Sequence, residues 1–226
     1  MKISVIFTDD DSMSLQNCTL NESYHSGFGA LQESKHVFIK NGLNNFIDKK
    51  EINILEFGFG TGLNTLLALE FAKTNKIKIS YISIEKYPVE LKYIQRLNYD
   101  ELVPKVGNKF IDLHKSEWEK EVKISEYFTL IKIENDFLET ELPQNIDVVF
   151  YDAFSPDTQP ELWTKELFSN IFNHMNSNSI LTTYSSKGIV KQALRNSGFK
   201  VKRLEGPIGK HHILNAIKTD NQFQNK

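Results

Sequence analysis

Cysteine is almost absent from this chain of 226 residues, in which Cys18 stands alone. A single cysteine cannot form an intrachain disulfide or a cysteine-rich zinc site, so the disulfide-stapled and zinc-finger classes are excluded. No apolar run approaches the roughly 18 residues of a membrane-spanning helix. Proline and glycine are also sparse, at 6 and 11 residues, and no Gly/Ser-rich linker divides the chain. We expect about one domain, with no membrane span.

A large net charge is also lacking, since the formal value is −2. That balance is not typical of a nucleic-acid-binding protein. The distribution is uneven, however, because the segment 187–212 carries a net charge of +6 and contains one acidic residue, Glu205. This segment either is a solvated helix face and strand edge or binds phosphates. The N-terminal residues lack the apolar region and cleavage site of a secretory signal, which predicts a cytoplasmic protein.

Short apolar strands alternate with helices along most of the chain. We predict strands over 52–55, 80–84, 128–133, 146–151 and 180–184, helices over 31–47, 63–73, 160–175 and 188–196, and a mostly helical segment over 88–123. Strands separated by helices indicate an α/β fold with a parallel sheet. The last two strands, near 200–204 and 213–218, are too close for a helical crossover, so we expect an antiparallel hairpin at the sheet's edge.

Two units follow from this pattern. Residues 1–48 are predicted to form an N-terminal hairpin, over 3–7 and 14–20, and a helix that packs on the core. Residues 49–226 are predicted to form the domain that carries the sheet.

A glycine cluster joins the first strand of that sheet to its helix, in the order Gly58-Phe59-Gly60-Thr61-Gly62. Glycines at alternate positions let the backbone approach a ligand closely. The spacing lacks the last glycine of the dinucleotide pattern G-x-G-x-x-G, which favours an adenosine ligand without phosphates. The preceding Glu56 could accept a hydrogen bond from an ammonium group of that ligand. A plain strand-to-helix turn is the alternative.

Two further carboxylates follow predicted strands. Glu85 ends the next strand, where it could accept hydrogen bonds from both hydroxyls of a ribose; the alternative is a surface glutamate. Asp136 follows the strand after that, where it could accept from the amine of adenine while Phe137 packs on the ring. A helix N-cap formed by Asn135 or Asp136 is an equal alternative, and both roles can coexist.

The most apolar strand, 146–151, leads directly into Asp152-Ala153-Phe154-Ser155-Pro156. A carboxylate at the end of a central strand lies where ligands bind in open α/β folds. Beside a sulfonium ligand, Asp152 could orient an attacking amine and take its proton; the alternative is a helix cap. Aromatic residues beside these loops could contact a cation or a base through their π faces. They are Tyr24, Phe57, Phe59, Tyr151, Phe154 and Trp163, and the segment 24–30 is another candidate wall of the pocket.

Several catalytic patterns are missing. The sequence contains no H-E-x-x-H spacing, no G-x-S-x-G and no P-loop, so we expect no metal and neither a serine hydrolase nor a P-loop nucleotidase.

These motifs together resemble the S-adenosylmethionine-dependent methyltransferase domain of the MnmC family, which modifies the wobble uridine of tRNA. The resemblance covers nearly the whole chain and lies in residues 33–38, 55–64, 84–88, 151–156, 160–164 and 198–210. It implies a Rossmann-like class I methyltransferase fold. It also implies methyl transfer to the primary amine of 5-aminomethyl-2-thiouridine at the wobble position of tRNA. The family's flavin oxidase domain is missing from this sequence, so we expect a stand-alone methyltransferase without oxidase activity.

The resemblance also assigns residues to roles. It places cofactor binding at Glu56, Gly58, Gly60, Gly62, Asn64, Glu85, Asp136, Asp152 and Phe154. Asp152 is the expected catalytic residue. Substrate or tRNA binding is expected at Tyr24, Trp163, Lys202, Arg203 and Lys210.

Three other functions remain open at this point. The same carboxylates could serve a methyltransferase or an aminopropyl-transfer enzyme acting on a small-molecule amine. A non-catalytic module that holds tRNA or a partner could keep the fold. An NAD-dependent oxidoreductase is disfavoured because the glycine pattern is broken.

Overall fold

Strands supply the frame of the computed structural model, which describes residues 2–220. They are β1 (Ile3–Phe7), β2 (Met13–Asn17), β3 (Glu22–Ser23), β4 (Glu51–Phe57), β5 (Lys78–Ile84), β6 (Glu121–Ser125), β7 (Phe128–Ile133), β8 (Ile146–Tyr151), β9 (Met175–Thr183), β10 (Lys200–Glu205) and β11 (His212–Lys218). The α-helices are α1 (Ala30–Ser34), α2 (Leu63–Asn75), α3 (Leu91–Ile94), α4 (Tyr99–Leu102), α5 (Phe110–Lys115), α6 (Lys165–His174) and α7 (Gly188–Asn196). The last six residues of the predicted second unit lie outside the described residues.

The main sheet has eight strands in the order β10-β11-β9-β8-β4-β5-β7-β6. Strands β9, β8, β4, β5 and β7 pair in parallel, and β10 and β11 form an antiparallel hairpin at one edge. This arrangement confirms the predicted α/β fold with a mostly parallel sheet and an antiparallel C-terminal edge hairpin. Parallel pairing also brings the carboxyl ends of β4, β5, β7 and β8 to one edge of the sheet.

The central strands lie in the middle of the sheet because most of their side chains are apolar on both faces. All six residues of β8 are buried, Asp147 among them. Helix α2 is apolar on nearly all sides, with nine buried residues, and it packs against the sheet. The helices α6 and α7 instead bury one stripe, which includes Phe168, Ile171, Val190 and Leu194. The sheet is thus covered on both faces, as parallel sheets require.

Two helix predictions for the part of the chain after residue 87 were wrong in their limits. The segment 88–123 contains three short α-helices and a 3₁₀ turn (Pro104–Val106) and runs into β6, an edge strand antiparallel to β7. On an edge strand only Val122 and Ile124 need to be apolar, and their charged neighbours resembled a helix surface. The predicted helix 160–175 is a 3₁₀ turn (Pro160–Trp163) followed by α6, because the hydroxyl of Thr164 accepts the amide of Leu167 and caps α6.

The N-terminal extension forms a separate three-stranded sheet, β1-β2-β3, followed by helical turns. The single helix predicted over 31–47 is divided into α1, a π-helical segment (Lys35–Lys40) and a 3₁₀ turn (Leu43–Phe46). The break falls at Gly42, where an added Cβ would lie 2.4 Å from the carbonyl oxygen of Phe38. Buried residues of the extension share one hydrophobic cluster with β4 and α2. The boundary between residues 48 and 49 stays a prediction.

None of the helices within residues 2–220 combines the length and the apolar character that crossing a membrane demands.

Candidate active site

A cavity of about 790 Å³ opens at the edge of the sheet where the parallel strands end. That volume falls within the range of small-molecule sites. The predicted site residues that line it are Tyr24, Gly58, Gly60, Asn64, Glu85, Asp136, Asp152, Phe154 and Lys210. The predicted site residues that do not line it are Glu56, Gly62, Trp163, Lys202 and Arg203.

The glycine loop leaves β4 with its backbone turned toward the cavity. Gly58 has a φ of +96°, and a Cβ there would lie 2.8 Å from the carbonyl oxygen of Asp152. Its amide donates to the carbonyl of Ile84 at 2.9 Å, which ties the loop to β5. Gly60 has a φ of +50° and faces the ring of Tyr24. The loop therefore requires glycine at these positions and presents bare backbone to the cavity.

Glu85 lies at the end of β5 and is fixed by the backbone. Its Oε2 accepts the amide of Gly60 at 3.0 Å, and its Oε1 accepts the amide of Tyr87 at 2.8 Å. Burial raises the pKa of Glu85 above its ordinary value, and these two amides oppose that rise. Each carboxylate oxygen keeps a lone pair for a further donor, so Glu85 can accept from a pair of hydroxyls.

Asp136 follows β7, the neighbour of β5 in the sheet, and is already engaged on both oxygens. Its Oδ1 accepts the amide of Leu138 at 2.9 Å, and its Oδ2 pairs with Nζ of Lys86 at 2.5 Å. The hydrogen bond from Lys86 holds the pKa of Asp136 below its ordinary value. No helix lies in the described segment between Asp136 and β8, so the helix cap considered as an alternative is absent, and Asp136 instead closes a turn while it lines the cavity.

Asp152 follows β8 and lines the floor of the cavity. The side-chain amide of Asn64 donates to its Oδ2 at 2.8 Å. Burial raises the pKa of Asp152 to about 7, and the hydrogen bond from Asn64 opposes this rise. The group therefore changes charge near neutral pH, which suits a carboxylate that must take a proton during a reaction.

The loop after Asp152 is held by residues from distant parts of the chain. Glu22 accepts the amide of Ser155 at 2.8 Å, and the hydroxyl of Tyr184 donates to the carbonyl of Ala153 at 2.9 Å. The ring of Phe154 meets that of Tyr24 edge-on, with centroids 5.2 Å apart. These contacts give the predicted aromatic wall a defined shape.

Glu56 lies behind the cavity wall, which corrects the predicted contact with a ligand ammonium group. Its side chain has no solvent exposure, and its Oε2 accepts hydrogen bonds from Ser83 at 2.6 Å and Thr65 at 3.2 Å. Burial raises the pKa of Glu56 to about 8. Glu56 therefore does not line the cavity and instead packs behind the residues that do.

Gly62 and Trp163 are also supporting residues rather than cavity walls. Gly62 precedes α2 with a φ of +74°, and a Cβ there would lie 2.7 Å from Nε2 of His114. Trp163 is 4% exposed, and its indole N–H donates to the carbonyl of Phe154 at 2.9 Å. Both residues act on the site through the loops they hold.

Lys202 and Arg203 are exposed on β10, away from the cavity. Because successive side chains of a strand point to opposite faces, these two residues cannot both lie on one face of the sheet. They can contact a ligand only if it is large enough to extend beyond the cavity.

Sequence reasoning identified Lys210 and the segment 24–30 as part of the site but missed Glu33, which also lines the cavity. Lys210 lines the cavity and forms an ion pair with the buried Glu33, while its Nζ lies 4.2 Å from the centre of the Tyr184 ring. His25 also lines the cavity, shares a hydrogen bond of 2.7 Å with Ser14, and has its pKa lowered to about 4 by burial. Glu33 and Lys210 are 177 residues apart, so no local pattern could have paired them.

Several proteins of known function or structure are similar to this chain. The tRNA 5-methylaminomethyl-2-thiouridine biosynthesis bifunctional protein MnmC of Pseudomonas syringae pv. syringae (strain B728a) is 33% identical over 211 residues, which are 86% of this chain and 31% of that protein. The chain thus spans about a third of the length of the curated relatives it matches. The crystal structure of MnmC2 from Aquifex aeolicus matches with a TM-score of 0.78 and 30% identity, over 95% of this chain and 69% of that one.

A more distant structure shares the fold alone. Spermidine synthase from Thermotoga maritima matches with a TM-score of 0.56 at 12% identity, over 96% of this chain and 80% of that one.

The family described as S-adenosyl-L-methionine-dependent methyltransferase matches residues 90–219, more than half of the chain. The cavity suits that cofactor, because Gly58 and Gly60 both line it with bare backbone and a Cβ at Gly60 would press on the ring of Tyr24, which lines the same cavity. Glu85 and Asp152 add carboxylates that complement ribose hydroxyls and a positive charge. This chain belongs to the S-adenosyl-L-methionine-dependent methyltransferase family.

Proposed function

We propose that this chain methylates the primary amine of a 5-aminomethyl group on the wobble uridine of tRNA. The observation that carries the proposal is Asp152, a carboxylate in the floor of the cavity with a pKa of about 7 and an oriented hydrogen bond from Asn64. The names of the MnmC relatives support the substrate, since they describe biosynthesis of 5-methylaminomethyl-2-thiouridine in tRNA. A tRNA substrate also assigns the enzyme to the cytoplasm.

Asp152 carries the acid–base part of the reaction. An alkylammonium group has no lone pair and cannot attack a methyl carbon until it loses a proton. An ionised Asp152 attracts the ammonium group, accepts a proton from it and holds the free amine with its lone pair directed at the methyl carbon. The new C–N bond would form as the bond from carbon to sulfur breaks, which leaves a neutral thioether and a secondary ammonium group. Asp152 then releases its proton to water and returns to the ionised state.

The other floor residues hold the cofactor. S-adenosylmethionine supplies a methyl group made electrophilic by its sulfonium charge. Among the residues that line the cavity, Glu85 would hold the ribose hydroxyls, the backbone of Gly58 and Gly60 would hold the methionine part, and Asp136 would hold the adenine. Asn64 keeps Asp152 in place.

The tRNA approaches from the side of the N-terminal extension. Tyr24 and Phe154 form an aromatic corner on which the extruded uracil ring can pack. Lys210 lies at that end of the cavity. The exposed residues Lys202 and Arg203 extend the positive charge along β10, where phosphates of the anticodon arm can bind.

A reconstituted methyl transfer assay tests the proposal. The purified chain is incubated with S-adenosylmethionine labelled in the methyl group and with tRNA that carries 5-aminomethyl-2-thiouridine at the wobble position. Nucleoside mass spectrometry should detect labelled 5-methylaminomethyl-2-thiouridine. The control is the same tRNA without the aminomethyl group, which should receive no label.

The same assay separates the alternative functions. Free aminomethyl nucleoside and short aliphatic diamines replace the tRNA in parallel reactions. Efficient transfer to these small amines, with none to tRNA, would overturn the proposal in favour of a small-molecule enzyme. Absence of any binding of S-adenosylmethionine by calorimetry would instead indicate a non-catalytic module.

A further inference from the structure

A group of buried polar atoms beneath the cavity lacks hydrogen-bond partners. Among the described residues, Oε1 of Glu56, Oδ1 of Asn64 and the hydroxyl of Tyr81 are buried and unpaired. The three side chains belong to one group, since Tyr81 and Asn64 both influence the pKa of the Glu56 carboxyl group and Thr65, the neighbour of Asn64, donates to it. Unpaired buried polar atoms are costly, so three of them in one group require an explanation.

Counting donors around Glu56 shows what is missing. The hydroxyls of Ser83 and Thr65 both donate to Oε2 of Glu56. The hydroxyl of Tyr81 is a third donor, and it can satisfy one acceptor. Oδ1 of Asn64 cannot donate, and Nδ2 of the same amide already donates to Asp152. If Glu56 is ionised, one buried acceptor therefore stays without a proton.

A proton on Glu56 completes the network. As a carboxylic acid, Glu56 offers an O–H to Oδ1 of Asn64 while its other oxygen continues to accept from Ser83 and Thr65. Burial raises the pKa of Glu56 to about 8, and the hydrogen bond from Ser83 opposes this rise. The charge of Asp152 raises the same pKa further. The titratable groups that face Glu56 are thus Tyr81 from β5 and Asp152 from the loop after β8.

We propose that Glu56 is a positioning residue for Asp152, acting as a neutral acid whose O–H donates to Oδ1 of Asn64. This hydrogen bond fixes which way the Asn64 amide points. With Oδ1 held by Glu56, Nδ2 has to face Asp152, and the carboxylate is held at the place where the amine must lie. The kinetic consequence rests on the proposed function, whereas the hydrogen bond itself does not.

Carboxyl NMR tests the hydrogen bond without any reaction. Protein labelled with ¹³C at the glutamate side-chain carboxyl is titrated with pH, and the Glu56 signal is identified by its loss in Glu56→Gln. Its midpoint should lie near the pKa of about 8, and the side-chain amide signal of Asn64 should shift with the same midpoint. The proposal is overturned if the Glu56 midpoint lies in the ordinary range of glutamate, or if the Asn64 signal does not shift at that midpoint. This outcome does not depend on which substrate the chain methylates.

Measurements of kcat test whether Glu56 positions Asp152. Glu56→Leu removes the donor and should lower kcat by about 10-fold or more, since small displacements of a reacting group have effects of that size. Glu56→Gln supplies an N–H donor in the same place and should recover most of the loss. The matched control is Glu51→Leu, an exposed glutamate of the same strand, which should leave kcat unchanged.

The pH profile separates positioning from simple structural support. The wild-type rate should fall as pH rises through the pKa of about 8, because ionised Glu56 no longer donates to Asn64. Glu56→Gln cannot ionise, so the ratio of its rate to the wild-type rate should increase across that range. A constant ratio overturns the proposal. So does a Glu56→Gln variant whose main defect is a weaker affinity for S-adenosylmethionine, because that result would make Glu56 a charged ligand of the cofactor.

Discussion

The floor and the roof of the cavity are built in different ways. The floor consists of strand ends, with Gly58, Glu85 and Asp152 placed by backbone hydrogen bonds of β4, β5, β7 and β8. The roof consists of the N-terminal extension and the loop after β10, joined by side chains. Glu22 reaches a serine 133 residues away, and Glu33 reaches Lys210 across 177 residues.

This difference suggests that the floor and the roof have different roles. Backbone hydrogen bonds hold floor residues in one arrangement whether or not a ligand is bound, as a cofactor site requires. The roof depends on a few ion pairs and hydrogen bonds between surface segments, which are easier to rearrange when a large substrate docks. We therefore expect floor substitutions to change cofactor binding or kcat and roof substitutions to change the KM for tRNA.

The largest effect is expected at the centre of the floor, for Asp152→Asn. An amide can still accept from Asn64 but cannot take a proton from the substrate, so kcat should fall by about 1,000-fold. Calorimetry should give an affinity for S-adenosylmethionine within about threefold of wild type. The wild-type rate should rise as pH increases through the pKa of about 7, because Asp152 must be ionised to accept the proton. Near wild-type turnover by this variant would remove Asp152 from the reaction.

A smaller effect is expected for Glu85→Ala, which tests the cofactor side of the floor. Losing two charge-assisted hydrogen bonds to ribose should weaken the affinity for S-adenosylmethionine by about 10-fold to 100-fold. The matched control is Glu134→Ala, an exposed carboxylate just after β7, which should leave that affinity unchanged. Equal affinities for both variants in calorimetry would exclude Glu85 from the ribose site.

The contrast between floor and roof also explains what could be predicted from sequence. The alternation of apolar strands and helices is a local pattern, and it gave the parallel sheet and the edge hairpin. Because parallel strands end at one edge, the acids after β5, β7 and β8 could be placed together before the structure was known. Glu85, Asp136 and Asp152 do line one cavity.

Other features depend on contacts that no local pattern encodes. Glu56 lies near the end of β4, two residues before Gly58 of the floor, but its side chain is fully buried and hydrogen-bonded to Thr65 of α2, so position at a strand end did not reveal its burial. Trp163 lies in a motif beside the cavity, yet its indole faces inward to hold Phe154. The ion pair of Glu33 with Lys210 forms only after the extension packs on the sheet.

That ion pair provides the test of the roof, through Lys210→Met. Removing the ammonium group leaves the buried Glu33 without its partner and takes a hydrogen-bond donor from the cavity, so the KM for tRNA should rise about 10-fold. The affinity for S-adenosylmethionine should stay unchanged. Lys187→Met is the control, since it loses the same charge at an exposed pair with Asp157. A weaker affinity of Lys210→Met for the cofactor, with unchanged KM for tRNA, would abolish the distinction between floor and roof.

The smallest effect is expected outside the cavity, at Lys202 and Arg203. These neighbours project from opposite faces of β10, so a bound tRNA that follows one face should contact one of them more than the other. Charge reversal of the contacting residue should weaken tRNA binding by about threefold and reduce the slope of log affinity against log salt by about 1. Reversal of the other residue should change both quantities less. The measurement is tRNA binding by Lys202→Glu and Arg203→Glu separately, each over a range of salt concentrations. If neither variant alters the slope, the phosphates do not bind along β10, and the roof alone must account for the affinity for tRNA.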